Sequence, residues 1–143
     1  MKVKDLMTRG VEVADKHFSL TEASVEMKRY DIGFLPVTNA DKVLGVLTDR
    51  DIVVRGLAEG KDPEKTKVTD IMTQDIEWIS DGATVNQAVK LMEKTKKRRL
   101  LVMNEQRKLI GIVSLGDIAV KSRNKDLAGE VLEDISEPAR PAR

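Results

Sequence analysis

Two aspartates in this chain stand in the same frame of neighbours. GVLTDRDIV runs from Gly45 to Val53 and GIVSLGDIA from Gly111 to Ala119. Each spells glycine, two aliphatic residues, a hydroxyl residue, two variable positions, then aspartate and isoleucine. Thr48 or Ser114 stands where a strand gives way to a helix, and Asp51 or Asp117 follows three residues on. That is capping-box spacing, with an acid in the first helical turn where the helix dipole favours it. Taken alone, capping accounts for both pairs. The same geometry suits a ligand: the carboxylate offers two acceptor oxygens to the vicinal hydroxyls of a ribose, while the hydroxyl and the free helix amides suit a phosphate. The two roles are compatible.

A second group of residues could answer a phosphate. KTKKRRLL places Lys94, Lys96, Lys97, Arg98 and Arg99 at the end of a helix and the entry of an apolar strand. Lysines at a helix C-terminus complement its dipole and stay solvated. Arg98 and Arg99 differ, because Leu100 draws them toward the sheet, where planar guanidinium groups can clamp a phosphate bidentately. Arg50 is open to two roles, reaching a phosphate or pairing with Asp49.

Other chemistries find little support. The chain has no cysteine, which removes thiolate nucleophiles, disulfides and cysteine-based metal sites. His17 is the sole histidine, and a lone imidazole makes a poor metal site. Asp15, Asp31 and Asp41 show no spacing of a paired general acid and base, so the chain reads as a non-enzyme with no catalytic residue, metal or catalytic cofactor. A formal charge of +1 and 3% aromatic residues argue against nucleic acid or an acidic membrane as partner. MKVKDLMTRG alternates charge where a secretory peptide needs an apolar stretch, and no apolar run is long enough to span a bilayer. A cytoplasmic location is expected.

The elements that position these residues come in two copies. VKDLMT (Val3 to Thr8) lies over VTDIMT (Val68 to Thr73) at an offset of 65, and the register holds through Val11 and Ile76, Val13 and Trp78, Met27 and Met92, and Val37 and Val102. At Gly45 and Gly111 the offset becomes 66, a one-residue slip that belongs in a turn. In each copy a short alternating strand (GVEVAD, DIEWIS) precedes a helix capped by Ser19 or Thr84. A buried strand (GFLPV, LLVM), a second strand (KVLGVL, KLIGIV) and a second helix (DRDIVVRGLA, LGDIAVKSR) follow. The expected organisation is α/β: a β-α-β-β-α repeat over 1–58, a linker over 59–67, a second repeat over 68–122 and a tail over 123–143. Two such units packed about a pseudo-twofold axis could cover sheet faces that one cannot. Trp78 and the six methionines are expected to fill the core. In the tail, Leu127, Val131, Leu132 and Ile135 fall at helical spacing before Pro138 and Pro141.

With its DhMT openings, its GFLPV strand and its doubled frame of glycine, hydroxyl and aspartate, the sequence resembles the CBS (cystathionine-β-synthase) domain, present as a tandem pair or Bateman module over roughly residues 1–122. GVLTDRDIV is similar to the form found in small stand-alone proteins. The resemblance implies a sensor that binds an adenosine-containing ligand: AMP, ADP, ATP or S-adenosylmethionine. By position, it implies that Asp51 holds a ribose with Thr48 beside it, that the adenine lies near Ile76, and that Arg98 and Arg99 face the phosphates. A mirror site would join Asp117 and Ser114 to Thr8 and Val11.

The copies differ where charge matters. The first repeat has Gly33 and Phe34 where the second has Arg98 and Arg99, and Leu115 and Gly116 replace Asp49 and Arg50. One competent nucleotide cleft is therefore expected, on Asp51, Arg98 and Arg99, with the Asp117 cleft empty or holding a neutral nucleoside. The resemblance also implies a homodimer through the helices and an effector protein that the sequence does not name. The alternative function is a ligand-independent structural or protein-interaction module whose aspartates only cap helices.

Overall fold

The computed structural model describes residues 1–122 together with Gly129, Leu132 and Glu133. Those last three are helical; the other residues of the expected tail helix lie outside the described part. The chain divides into two compact units, Glu12–Ile76 and a split unit in which Met1–Val11 joins the chain from Glu77 onward. Repeat and unit are thus cut at different places. The DhMT opening of one repeat is built into the unit that carries the other repeat's sheet.

In the Glu12–Ile76 unit, β1 (Ala14–Asp15), α2 (Leu20–Tyr30), β2 (Phe34–Asn39) and β3 (Lys42–Thr48) form a sheet of order β1-β2-β3, parallel then antiparallel. A one-turn helix, α3 (Asp49–Asp51), continues as a π-helical turn over Ile52–Gly56 and a 3₁₀ turn over Leu57–Glu59, and α4 (Val68–Ile71) completes the unit. The split unit repeats the plan with α1 (Val3–Leu6), β4 (Trp78–Ser80), α5 (Val85–Thr95), β5 (Arg99–Met103), β6 (Leu109–Ser114) and α6 (Leu115–Lys121), its sheet running β4-β5-β6. Both three-stranded mixed sheets match the α/β plan read from the sequence.

Local chemistry accounts for the long helices. Ser19 Oγ accepts from the Glu22 amide at 3.1 Å while Glu22 returns a carboxylate oxygen to the Ser19 amide, and Thr84 and Gln87 do the same for α5. Each helix lays one apolar stripe on its sheet: Leu20, Ala23 and Met27 on α2, and Val85, Ala88, Val89 and Met92 on α5. The central strands are the most buried, with Leu35, Val37, Leu100 and Val102 at 0% exposure. Each such side chain contributes about 1.5–3 kcal/mol by leaving water. One apolar cluster forms per unit.

Trp78 departs from its expected place in the core. It aligns with Val13, but both side chains face outward, at 40% and 37% exposure, while Ile79 takes the inward position of β4. The Arg107 guanidinium sits 5.8 Å from the centre of the indole ring.

The glycine of the frame has a packing reason. In the split unit, Thr8 exchanges two backbone hydrogen bonds with Ile112, at 2.8 and 3.0 Å, so the DhMT turn runs across Gly111. In the other unit Thr73 does the same with Val46 beside Gly45. A Cβ on Gly45 would lie 2.6 Å from the Thr73 carbonyl oxygen, whereas one on Gly111 would first meet the flexible Met7 sulfur at 2.6 Å. Gly45→Ala should therefore lower unfolding free energy by about 1–3 kcal/mol, more than Gly111→Ala. Urea denaturation of the two variants checks the order.

Candidate functional site

The frame aspartates are held at three points each. Thr48 Oγ1 accepts from the Asp51 amide at 3.0 Å, and Asp51 Oδ2 accepts from the Thr48 amide at 3.0 Å. Ser114 and Asp117 repeat the exchange at 3.0 and 2.9 Å. The capping role is thus realised in both repeats. The remaining oxygen faces a cation four residues on: Asp51 Oδ1 lies 3.9 Å from Arg55 Nη1, and Asp117 Oδ1 lies 3.4 Å from Lys121 Nζ. The carboxylates stay 13% and 16% exposed, and an ionised carboxylate accepts about four hydrogen bonds, so acceptor capacity is left for a ligand.

In the split unit the sheet brings charge to the same junction. Arg99 opens β5 opposite Ser114, and the Arg98 carbonyl accepts from the Leu115 amide at 2.8 Å, so both arginines stand beside the first turn of α6. A pocket of about 520 Å³ opens there, lined by Arg98, Arg99, Ser114, Leu115, Gly116 and Ala119, with Gly129 and Leu132 completing the wall. Its volume falls in the range of small-molecule sites, about 300–1,000 Å³. Two arginines and a hydroxyl residue on an otherwise apolar lining suit an anion with an apolar or aromatic body.

The other unit builds the same junction with acids and bases together, Asp49 and Asp51 beside Arg50 and Arg55. Gly33 and Phe34 hold the positions of the two arginines: Phe34 pairs with Thr48, and the Gly33 carbonyl accepts from the Asp49 amide at 3.0 Å. The Asp49 carboxylate folds over Gly33, 2.7 Å from where a Cβ would sit, and accepts from the Arg50 amide at 2.9 Å. The Arg50 guanidinium forms no ion pair with Asp49, the pairing weighed from the sequence.

Thr8, Val11, Arg98, Arg99, Ser114 and Asp117 all belong to the split unit; Thr48, Arg50, Asp51 and Ile76 belong to the other. Thr8 pairs with Ile112 of β6, and Ser114 ends the same strand. The sequence-based grouping of Arg98 and Arg99 with Asp51 draws on both units, whereas the pocket groups the arginines with Ser114. Sequence reasoning passed over Asp49 as the group lying over Gly33, and over Arg55 and Lys121. The latter two left a signal: DIVVR and DIAVK each carry a base four residues after the frame aspartate. Among the described residues no three His, Cys, Asp or Glu side chains gather to hold a metal, and no helix is long and apolar enough to cross a membrane.

Residues 3–57 and 68–123 each match the CBS domain. The chain is 38% identical over 138 residues to the uncharacterized protein YlbB of Bacillus subtilis, covering 95% of this chain and 92% of that one. It is 38% identical to hypoxic response protein 1 of Mycobacterium tuberculosis over 117 residues, 81% of each chain. The crystal structure of Hypoxic Response Protein I with two coordinated zinc ions superposes at a TM-score of 0.74, with 37% identity over 83% of this chain and 97% of that one. The crystal structure of CBSX2 in complex with AMP superposes at 0.71, with 25% identity over 87% of this chain and 98% of that one.

Capping can be separated from binding by measurement. Thr48→Ala and Ser114→Ala should each lower unfolding free energy by about 0.5–2 kcal/mol without any ligand, and Ser114→Asn, which still caps, should recover most of the loss in a denaturant titration.

Proposed function

Because this chain belongs to the CBS domain family and carries the domain twice, we propose that it is a regulatory module that binds an adenine nucleotide and holds its phosphate at Arg98 and Arg99. The observation that carries this reading is that Arg98, Arg99 and Ser114 line one pocket. The AMP in the related CBSX2 structure supports the ligand class. Charge selects between the repeats: at the first junction Asp49 and Asp51 stand with Arg50 and Arg55 and the formal charges cancel, whereas at the second Arg98, Arg99 and Lys121 outnumber Asp117.

The ribose is answered by a frame aspartate. The resemblance names Asp51, with Thr48 and Ile76 beside it, and the pocket's own unit supplies Asp117 with Thr8 and Val11. Hydrogen bonds to a charged partner contribute about 1.5–3 kcal/mol each, so the aspartate in use should lose about tenfold or more in affinity on substitution by alanine. Regulation follows if the ligand prefers one arrangement of the chain over another.

Titration calorimetry with AMP, ATP and adenosine tests the reading. Arg98→Ala with Arg99→Ala should weaken AMP and ATP far more than adenosine, and one of Asp51→Ala and Asp117→Ala should weaken all three. Equal losses of AMP and adenosine in the double-arginine variant would remove the phosphate role. No change in melting temperature with millimolar AMP, ATP or S-adenosylmethionine would instead favour a ligand-independent interaction module.

Self-association belongs to the same proposal. Val54 and Val120 occupy corresponding helix positions of the two repeats, and both are exposed, as are Val53 and Leu57. A second copy that covers these faces would give light scattering at twice the chain mass of 15.9 kDa. Val54→Glu combined with Val120→Glu should return the mass to that of one chain.

A further inference from the structure

The base four residues after each frame aspartate touches more than the carboxylate. In the split unit Lys121 Nζ, 3.4 Å from Asp117 Oδ1, also donates to the Leu6 carbonyl at 3.0 Å. In the other unit Arg55 Nη1, 3.9 Å from Asp51 Oδ1, donates to the Met72 carbonyl at 3.4 Å and to Thr73 Oγ1 at 3.5 Å. Leu6 ends α1, and Met72 follows α4, so both bases reach a DhMT turn, one at its second residue and the other at its third and fourth. The arrangement is made twice, by different side chains, in two separately packed units.

We infer that Lys121 and Arg55 are positioning residues, each clasping a DhMT turn to a frame aspartate and fixing the plane of the carboxylate that receives a ribose. This inference rests on the nucleotide reading above. Without the base, the carboxylate is anchored at Oδ2 alone, by the amide of Ser114 or Thr48, and is free to turn about its Cβ–Cγ bond. With the base, Oδ1 also faces a cation, 3.4 Å from Lys121 Nζ or 3.9 Å from Arg55 Nη1, which favours one alignment of the two oxygens. A vicinal diol, which donates one hydroxyl hydrogen to each oxygen, needs that alignment. The same contact ties the aspartate to the turn, so a ligand that draws on Oδ1 also acts on the backbone at Leu6 or Met72. As an exposed ion pair the contact contributes little to folding; its contribution is orientation.

The test uses Lys121→Met, Lys121→Arg, Arg55→Met and Arg55→Lys in the full chain, with calorimetry against AMP, adenosine and 2′,3′-dideoxyadenosine. In the unit whose aspartate takes the ribose, the methionine variant should weaken AMP and adenosine by about five- to tenfold, leave the dideoxynucleoside unchanged and be largely rescued by the conservative base. Loss of AMP alone would make the base a phosphate ligand and overturn a positioning role. Equal loss of all three would make it structural, and no loss would leave it without a role; either result overturns the inference. If the parent chain binds neither AMP nor adenosine, the nucleotide reading fails, and amide exchange judges the clasp by itself. Faster exchange at Met7 in Lys121→Met, or at Thr73 in Arg55→Met, would uphold it; unchanged exchange would end it.

Discussion

Backbone meets backbone beside Gly45 and Gly111, and most of the architecture depends on that approach. The DhMT turn must lie close enough to the second strand for Thr8 or Thr73 to exchange hydrogen bonds with it, and a side chain on the strand would hold it off. Once the turn is seated, the chain after it is committed. Met1–Val11 packs into the unit of the second sheet, Glu12–Ile76 forms the other, and every frame aspartate has a turn within reach of its neighbouring base. Two backbone hydrogen bonds contribute little net stability in water, but they satisfy groups that would otherwise be stranded at a sheet edge.

Capping and binding share the same two aspartates without conflict. The cap uses one carboxylate oxygen and one backbone amide at the end of a strand, and it holds that oxygen still. A group already immobilised by folding loses less entropy when it binds a ligand, which is the general advantage of a preorganised site. The arginines gain in the same way from their place at the mouth of β5, where the paired backbone fixes the root of each side chain.

The divergence that bears on charge at the strand-to-helix junction falls at a few positions. The helices, caps, ladder register and glycine contacts recur, while Arg98, Arg99, Leu115 and Gly116 stand against Gly33, Phe34, Asp49 and Arg50. Structural positions tolerate little change because packing and backbone hydrogen bonding penalise it in either repeat. Asp49, Arg50, Arg98 and Arg99 are exposed, so charge there can change at little cost to folding, whereas Leu115 is buried. One scaffold thereby presents one junction of balanced charge and one with an excess of bases.

By itself the amino-acid sequence determined what depends on local pattern and repetition: the α/β class, the long capped helices, the apolar central strands and the capping pairs Thr48–Asp51 and Ser114–Asp117. Periodicity and cap chemistry act within a few residues and are written in order along the chain. Pattern cannot tell which face of a short edge strand points inward, so an apolar Trp78 reads as core although its alternation with Ile79 turns it outward. Nor could pattern tell that Arg98 and Arg99 share a pocket with Ser114, that Asp49 folds over Gly33, or that Lys121 reaches a carbonyl at Leu6, 115 residues away. Those relations arise from strand register and from the turn that crosses the glycine, and only tertiary structure decides which distant backbone a side chain meets.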